Sequence, residues 1–465
     1  MKKLFLFTIL LCSVLAGFAN IRLPNVINNN MVLQQQSNVQ LWGWAEPGER
    51  IMVTTSWNNK TDSVKTTRDA KWQINIATPK AGGPYTITLK GYNTITLNNV
   101  LIGEVWVCSG QSNMEMNGGW GLQDIKSELP NAYNTNIRFF HIPKTTAEYP
   151  QENCTGEWEV CDSNTLKSFS AAGYFFGKQL NQKLNVPIGL IESAWGGTPA
   201  EVWTPDSIVT SNDTLKAAAA KLQPSEGWPY QPGYTYNAMI APITNYNIAG
   251  TIWYQGESNT GTANTYTQLF TDMISSWRKA WNKDFPFYYV QIAPFKYGTP
   301  NIGALLREAQ QQTMKLDKTG MVVITDLVAD TNDIHPTDKH DVGYRLANWA
   351  LAETYNQQGI VYKSPTYKSM TVDKDKAVIT FDNVLKGLTI KGGNAKELFI
   401  AGSDKIFFPA TATVKNGQLI VSSKYVKQPA AVRYGFSNTA EGNIFSTEGL
   451  PVAPFRTDDW QVSTQ

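Results

Sequence analysis

Short runs of alternating apolar and polar residues fill the chain from Ile21 to about Leu101. Val39-Gln-Leu-Trp-Gly-Trp44, Ile51-Met-Val-Thr-Thr55, Trp72-Gln-Ile-Asn-Ile76 and Tyr85-Thr-Ile-Thr-Leu89 carry β-formers in alternation or in bunches. Glu46-Pro-Gly-Glu49 and Ala81-Gly-Gly-Pro84 place turn formers between them. Several strands at such short spacing predict a β-sandwich over residues 20–101.

From about Ile102 to Gln358 the pattern changes. Continuous apolar runs, each long enough for one buried strand, occur at Ile102–Cys108, Val186–Ser193, Ala249–Gln255, Phe287–Ile292 and Met321–Asp326. Between them, Ser170–Leu184, Thr265–Trp281 and Gly303–Met314 show helical periodicity. Strands that alternate with helices predict an α/β fold, a parallel sheet flanked by helices, over residues 102–358. Ligands of such sheets bind beyond the carboxyl ends of the strands. After about Gly359 the reading returns to β, with Ala377–Phe381, Leu388–Ile390, Leu398–Ala401 and Ala431–Phe436 as strands of a C-terminal β-rich domain over residues 359–465.

The first residues read as an address. Lys2-Lys3, the apolar run Leu4–Leu15 and the small residues around Gly17-Phe18-Ala19 form the pattern of a secretory signal peptide, cut after Ala19. A mature chain in the periplasm or outside the cell is expected, with no membrane insertion of its own. Forty basic residues against 38 acidic ones give a formal net charge of +2 without a Lys/Arg run, so neither nucleic acid nor an anionic membrane is an expected partner. Fifteen Trp and 20 Tyr suit sugar recognition, and equally suit β-rich cores. Beyond Cys12 in the leader, Cys154 and Cys161 bracket a loop that a disulfide is able to close, and Cys108 reads as a buried free thiol.

Candidate chemistry is constrained by scarcity. Only His141, His335 and His340 are available as a general base. His141 lies in the β-like run Arg138-Phe-Phe-His-Ile-Pro143, and His340 in the polar helix start Asp338-Lys-His-Asp341. His335 follows an expected strand and a polar loop, a suitable place for a base. Ser112 follows the strand Val105-Trp-Val-Cys108, with Gly110 two residues before it to permit a tight turn. Met114 stands where a G-x-S-x-G elbow needs its second glycine. Trp195-Gly-Gly-Thr198 and Trp253-Tyr-Gln-Gly-Glu257 follow two further strands and offer backbone and amide donors. Three scattered histidines without paired spacing argue against a metal site.

Taken in order, Gly110-Gln-Ser-Asn-Met114, Gly196-Gly-Thr198, Trp253-Tyr-Gln-Gly-Glu257 and Asp333-Ile-His-Pro336 resemble the motifs of the sialate O-acetylesterases, a carbohydrate acetylesterase branch of the SGNH hydrolases. Leu101-Ile-Gly-Glu-Val-Trp106, Lys339–Leu346 and Pro454–Trp460 extend the resemblance over essentially the whole mature chain. The resemblance implies an SGNH-type catalytic domain with Ser112 as nucleophile and His335 as base. It further implies an oxyanion hole built from Ser112, Gly197 or its neighbour Gly196, and Gln255, with Asn259 as the second amide candidate. For the acid it implies Asp333, two residues before the histidine; Asn332 stands at the broader pattern's position. A backbone carbonyl is the alternative orienter.

The activity so implied is that of a secreted serine esterase removing O-acetyl groups from sugars, O-acetylated sialic acid foremost, through an acetyl-serine intermediate. No cofactor and no metal are required, and an acetylated sugar is the partner expected. An acetylxylan-type polysaccharide esterase with the same residues is the alternative reading. A non-catalytic carbohydrate-binding protein is a third, which does not account for four polar motifs falling after strands in hydrolase order.

Overall fold

The computed structural model describes residues 20–464; the expected leader at 1–19 lies outside them. Seven strands open the described chain: β1 (Val32–Gln34), β2 (Asn38–Trp44), β3 (Arg50–Thr55), β4 (Thr61–Lys65), β5 (Lys71–Ala77), β6 (Gly82–Lys90) and β7 (Thr94–Gly110). β2 pairs with β5 as one antiparallel ribbon, and β4, β3, β6 and β7 follow one another in a second antiparallel sheet. In β5, Trp72 and Ile76 are buried while Lys71, Gln73 and Asn75 face water, the alternation of a sheet covered on one face.

β7 changes character midway. Its start alternates between exposed and buried positions, and from Val100 to Gly110 every residue is buried. This second half is the central strand of another sheet, so the expected domain division at 101/102 falls inside a single continuous strand. The added strands are β8 (Asn134–His141), β9 (Trp158–Cys161), β10 (Ile188–Ala194), β11 (Gly250–Tyr254), β12 (Phe287–Val290) and β13 (Thr319–Val322), in the order β13-β12-β11-β7-β10-β8-β9. All neighbours are parallel except β8 and β9.

Alternate residues of β7 serve two cores, which is why the strand reads as uninterrupted hydrophobic sequence. Val105 and Val107 pack with Phe270, Met273 and Trp277 of α3 (Ala263–Ala280) and with Leu306 of α4 (Ile302–Thr313). Trp106 and Cys108 pack on the opposite face with Phe176 and Leu180 of α2 (Ala171–Leu184) and Leu346 of α5 (Lys339–Trp349). Ser170 caps α2 by accepting the Gly173 N–H, and Asp338 caps α5 by accepting the Asp341 N–H. The expected helices coincide with α2, α3 and α4. The strand expected over 321–326 is shorter, because β13 is the sheet edge and the chain leaves it after Val322, with Arg345 bonding the Val323 carbonyl. The N-terminal strands continue the first core, where Leu41 and Trp42 join the same cluster as Val105 and Trp253.

Residues after 365 form two four-stranded antiparallel sheets and a two-stranded ribbon around a core of their own. Arg456 joins this region to α4 through a bidentate pair with Glu308, at 2.7 and 2.8 Å. Among the described residues, no helix is long and apolar enough to cross a membrane.

The disulfide suggested by the spacing of Cys154 and Cys161 is not formed. Both thiols are free and buried, in different cores: Cys154 packs with the sandwich side, while Cys161 sits in β9 with its Sγ 3.1 Å from the Ala132 carbonyl. Burial pushes both thiols up to about 12 and Cys108 well above its ordinary value, so none is a reactive thiolate near neutrality. Unreduced protein should therefore resist iodoacetamide while folded and be alkylated at Cys108, Cys154 and Cys161 once denatured. Mass spectrometry reads this directly, and a pair that stays unlabelled until a reductant is added would contradict it.

Candidate active site

β7 lies between β11 and β10, and the turns that follow these three strands meet. Gly110 makes the first turn possible. It has φ +141°, and a side chain there would run into the Tyr254 carbonyl on β11. The chain swings at this glycine into α1 (Ser112–Glu115) and brings Ser112 above the sheet. Gln111 stitches two turns together: its N–H donates to Tyr254 O, and its Oε1 accepts from Gly256 N at 3.3 Å and Ser258 N at 3.4 Å. The Ser258 hydroxyl donates to Gly197 O at 2.9 Å, and Trp195 N donates to Gly110 O at 3.0 Å. Each turn is thus held by its neighbours.

Into this arrangement the loop after β13 returns His335. Its Nε2 lies 3.0 Å from Ser112 Oγ, a hydrogen bond between residues 223 positions apart in sequence. Asp333 Oδ1 accepts the His335 backbone N–H at 2.9 Å and stands 3.6 Å from Nδ1, within ion-pair range but longer than a hydrogen bond. Asn332 is turned away, with its amide on Asp330. Partial burial lowers the His335 pKa; the Asp333 carboxylate opposes the shift and the Lys339 ammonium adds to it. The other two histidines are elsewhere engaged. His141 pairs with the buried Glu192 at 3.3 Å, and His340 bonds Asp341 and lies tilted against the Tyr344 ring.

The glycine pair separates into two roles. Gly196 N–H donates to Glu115 Oε2 at 2.6 Å, and Glu115 Oε1 in turn pairs with Lys144 at 2.6 Å. The N–H groups of Gly197 and Ser112 have no hydrogen-bond partner among the described residues. Gly197 takes φ +81°, and the indole of Trp228 occupies the space its side chain would need.

Gln255 is brought to the same corner but faces inward. Its Nε2 donates to Thr198 O at 3.2 Å and to Asn259 Oδ1 at 2.8 Å, while its Oε1 accepts from the Tyr266 hydroxyl at 2.9 Å. Asn259 Nδ2 is bound to Glu201 at 2.8 Å. Both hydrogens of the Gln255 amide, the expected oxyanion donor, have partners inside the protein, and the amide of Asn259, the second candidate, is held by Glu201.

Other residues near the pair carried no assigned role in the sequence reading. Trp120 sets its ring edge-on to His335 at 5.4 Å between centroids and is 47% exposed; Trp228 over Gly197 is 40% exposed. Asn113, Lys339 and Glu257 form a buried polar group behind Ser112. Asn113 and Glu257 lie inside the quoted motifs and Lys339 opens the segment after the histidine, but no spacing rule connects the three. Among the described residues, Asp338, His340 and Asp341 form the one grouping with metal-ligand spacing. Asp338 is occupied as a helix cap and His340 by Asp341, and the Ser112–His335 pair uses none of them.

Comparison with known proteins places the chain in a family. Residues 102–352 match the family model described as carbohydrate esterase, sialic acid-specific acetylesterase. Sialate O-acetylesterases of Pongo abelii and Homo sapiens are each 32% identical over 389 residues, covering 74% of this chain and 73% of theirs. The crystal structure of a carbohydrate acetylesterase from Xanthomonas citri superposes with a TM-score of 0.86 at 36% identity, over 95% of this chain and 100% of that one. The chain is a carboxylic ester hydrolase of the kind that deacetylates sugars. It belongs to the carbohydrate esterase, sialic acid-specific acetylesterase family.

Because Gln255 is fully buried and satisfies Thr198, Asn259 and Tyr266 together, Gln255→Ala should destabilise the fold by about 2–4 kcal/mol, the cost of leaving buried partners unpaired. Thermal denaturation checks this; an unchanged Tm would remove its bracing role.

Proposed function

We propose that the protein is a secreted serine esterase that removes O-acetyl groups from sugars, O-acetylated sialic acid foremost, through an acetyl-serine intermediate. The observation that carries the reading is the 3.0 Å contact between His335 Nε2 and Ser112 Oγ beyond the ends of parallel strands. His335 takes the Ser112 proton as the oxygen attacks the acetyl carbonyl, then returns it to the departing sugar hydroxyl. Water deacylates the serine by the same route, and acetate leaves. Asp333, beside Nδ1, stabilises the imidazolium that forms.

The free N–H groups of Ser112 and Gly197 serve the oxyanion, where one donor contributes about 3–4 kcal/mol in comparable sites. Gly196, spent on Glu115, and Gln255, bonded to Thr198 and Asn259, hold that corner in shape. Partly exposed Trp120 on the histidine side and Trp228 on the glycine side offer flat apolar faces to a sugar ring. Sialic acid as the acetyl carrier is supported by the names of the relatives, and export by the basic and apolar pattern of residues 1–19. Acetylated xylan is the competing substrate, since the site addresses an acetyl carbonyl without naming its alcohol.

Ser112→Ala should abolish hydrolysis of p-nitrophenyl acetate and labelling by a fluorophosphonate while leaving Tm unchanged; retained turnover would end the serine mechanism. Acetate release should be faster from O-acetylated sialic acid than from acetylated xylan, and the opposite order would assign the xylan reading. The pH profile tests the base. Burial disfavours the imidazolium, so His335 stays neutral to lower pH and the acid limb of kcat/KM should fall below about 6.5. Asp333→Ala removes the carboxylate that favours the imidazolium, and should lower kcat and move that limb further down. A limb above 6.5 in the parent enzyme contradicts the assignment.

A further inference from the structure

We propose that Asn113 is a positioning residue, and that with Lys339 and Glu257 it forms a buried relay locking the nucleophile turn to the loop that carries the base. The inference rests on the reading of Ser112 as nucleophile and His335 as base.

Asn113 follows Ser112 directly and is wholly buried. Its one amide reaches three separate segments. Nδ2 donates to Glu257 Oε1 at 2.8 Å, in the turn after β11, and to Ile334 O at 3.1 Å, the residue before His335. Oδ1 accepts from Lys339 Nζ at 2.7 Å, at the first residue of α5. The neighbour of the nucleophile thereby holds the neighbour of the base across 221 positions of sequence.

The chemistry of the partners allows one orientation of this amide. The Lys339 ammonium only donates, and the Glu257 carboxylate and Ile334 carbonyl only accept. Turning the amide over would set donor against donor and acceptor against two acceptors. Aspartate would place two carboxylates together, and alanine would leave Lys339 and Glu257 without their link.

The two charges are expensive where they are. Burial pushes Lys339 down to about 7 against Glu257, Asp124, Asp333 and Asp338, and raises Glu257 against Asn113 and Lys339. Among the described residues Glu257 Oε2 has no hydrogen-bond partner, and Lys339 Nζ otherwise lies over the Tyr254 ring at 5.1 Å. Buried charges contribute little net stability even when paired, and here the two are joined only through the Asn113 amide. What this arrangement contributes instead is a fixed Asn113 and a positive charge near the base. His335 faces Asp333 from its own loop and Lys339 from α5, and the Lys339 charge disfavours the imidazolium.

Steady-state kinetics with p-nitrophenyl acetate on the full-length enzyme test both arms. Asn113→Ala should lower kcat at least about 100-fold with KM nearly unchanged, because a misplaced base costs the chemical step rather than binding. Lys339→Met fills a similar volume without charge. It should move the acid limb of kcat/KM to higher pH, since a charge opposing protonation of His335 is gone; a merely structural lysine would lower Tm without moving the limb. If Asn113→Ala does not fold, the limb in Lys339→Met decides. The relay is overturned by an Asn113→Ala enzyme within threefold of the parent kcat, or by a limb in Lys339→Met that stays or moves down. A parent enzyme that neither turns over the ester nor accepts a fluorophosphonate overturns the serine–histidine reading itself, a distinguishable result.

Discussion

The site depends on β7 being one strand in two sheets. Its first half is paired in the antiparallel N-terminal sheet and its second half is wedged between β10 and β11, with each face under its own helices. A strand buried on both faces has no freedom to shift register, since a one-residue slip would exchange Trp106 and Cys108 with Val105 and Val107 between two differently shaped cores. The turn at Gly110 therefore begins at a set height above the sheet. Ser112 is thus placed by a strand held in two sheets at once.

The same constraint acts on the neighbouring strands. The Gly196-Gly197 and Gln255 turns follow β10 and β11, so they arrive beside Ser112 as a consequence of strand order. Side chains then finish the alignment. Gln111 binds the turn after β11, Ser258 binds Gly197, and Gln255 and Asn259 brace Thr198 and Ala200 from below. His335 alone comes from the sheet edge, on a loop with no strand to hold it. It is held by three separate supports: Asp333 at its own N–H, Trp120 at its ring and Asn113 at the preceding carbonyl.

Electrostatics follow from burial. Thiols at Cys108, Cys154 and Cys161 are driven far from reactivity, while in the half-buried His335 desolvation disfavours the imidazolium, which suits the role of base proposed for it.

Much of this was legible in the chain. Continuous apolar runs announced the parallel sheet because strands covered on both faces cannot alternate, and Trp72-Gln-Ile-Asn-Ile76 announced the sandwich because its strands do. With three histidines available, position after a strand singled out His335, and the motif order drew Ser112 to it. What the sequence determined was local: which segments are strands or helices, where glycine permits a turn, and which residue types are capable of acyl transfer. Tertiary structure decided the rest. It separated Gly197 from Gly196 by giving only the latter a carboxylate partner. It turned the Gln255 amide inward, kept Cys154 and Cys161 in different cores, and joined Asn113, Glu257 and Lys339. Each of these depends on which way a side chain points once distant segments meet. That direction is set by packing and, in most of these contacts, by hydrogen-bond partners tens to hundreds of residues away, so no local pattern encodes it.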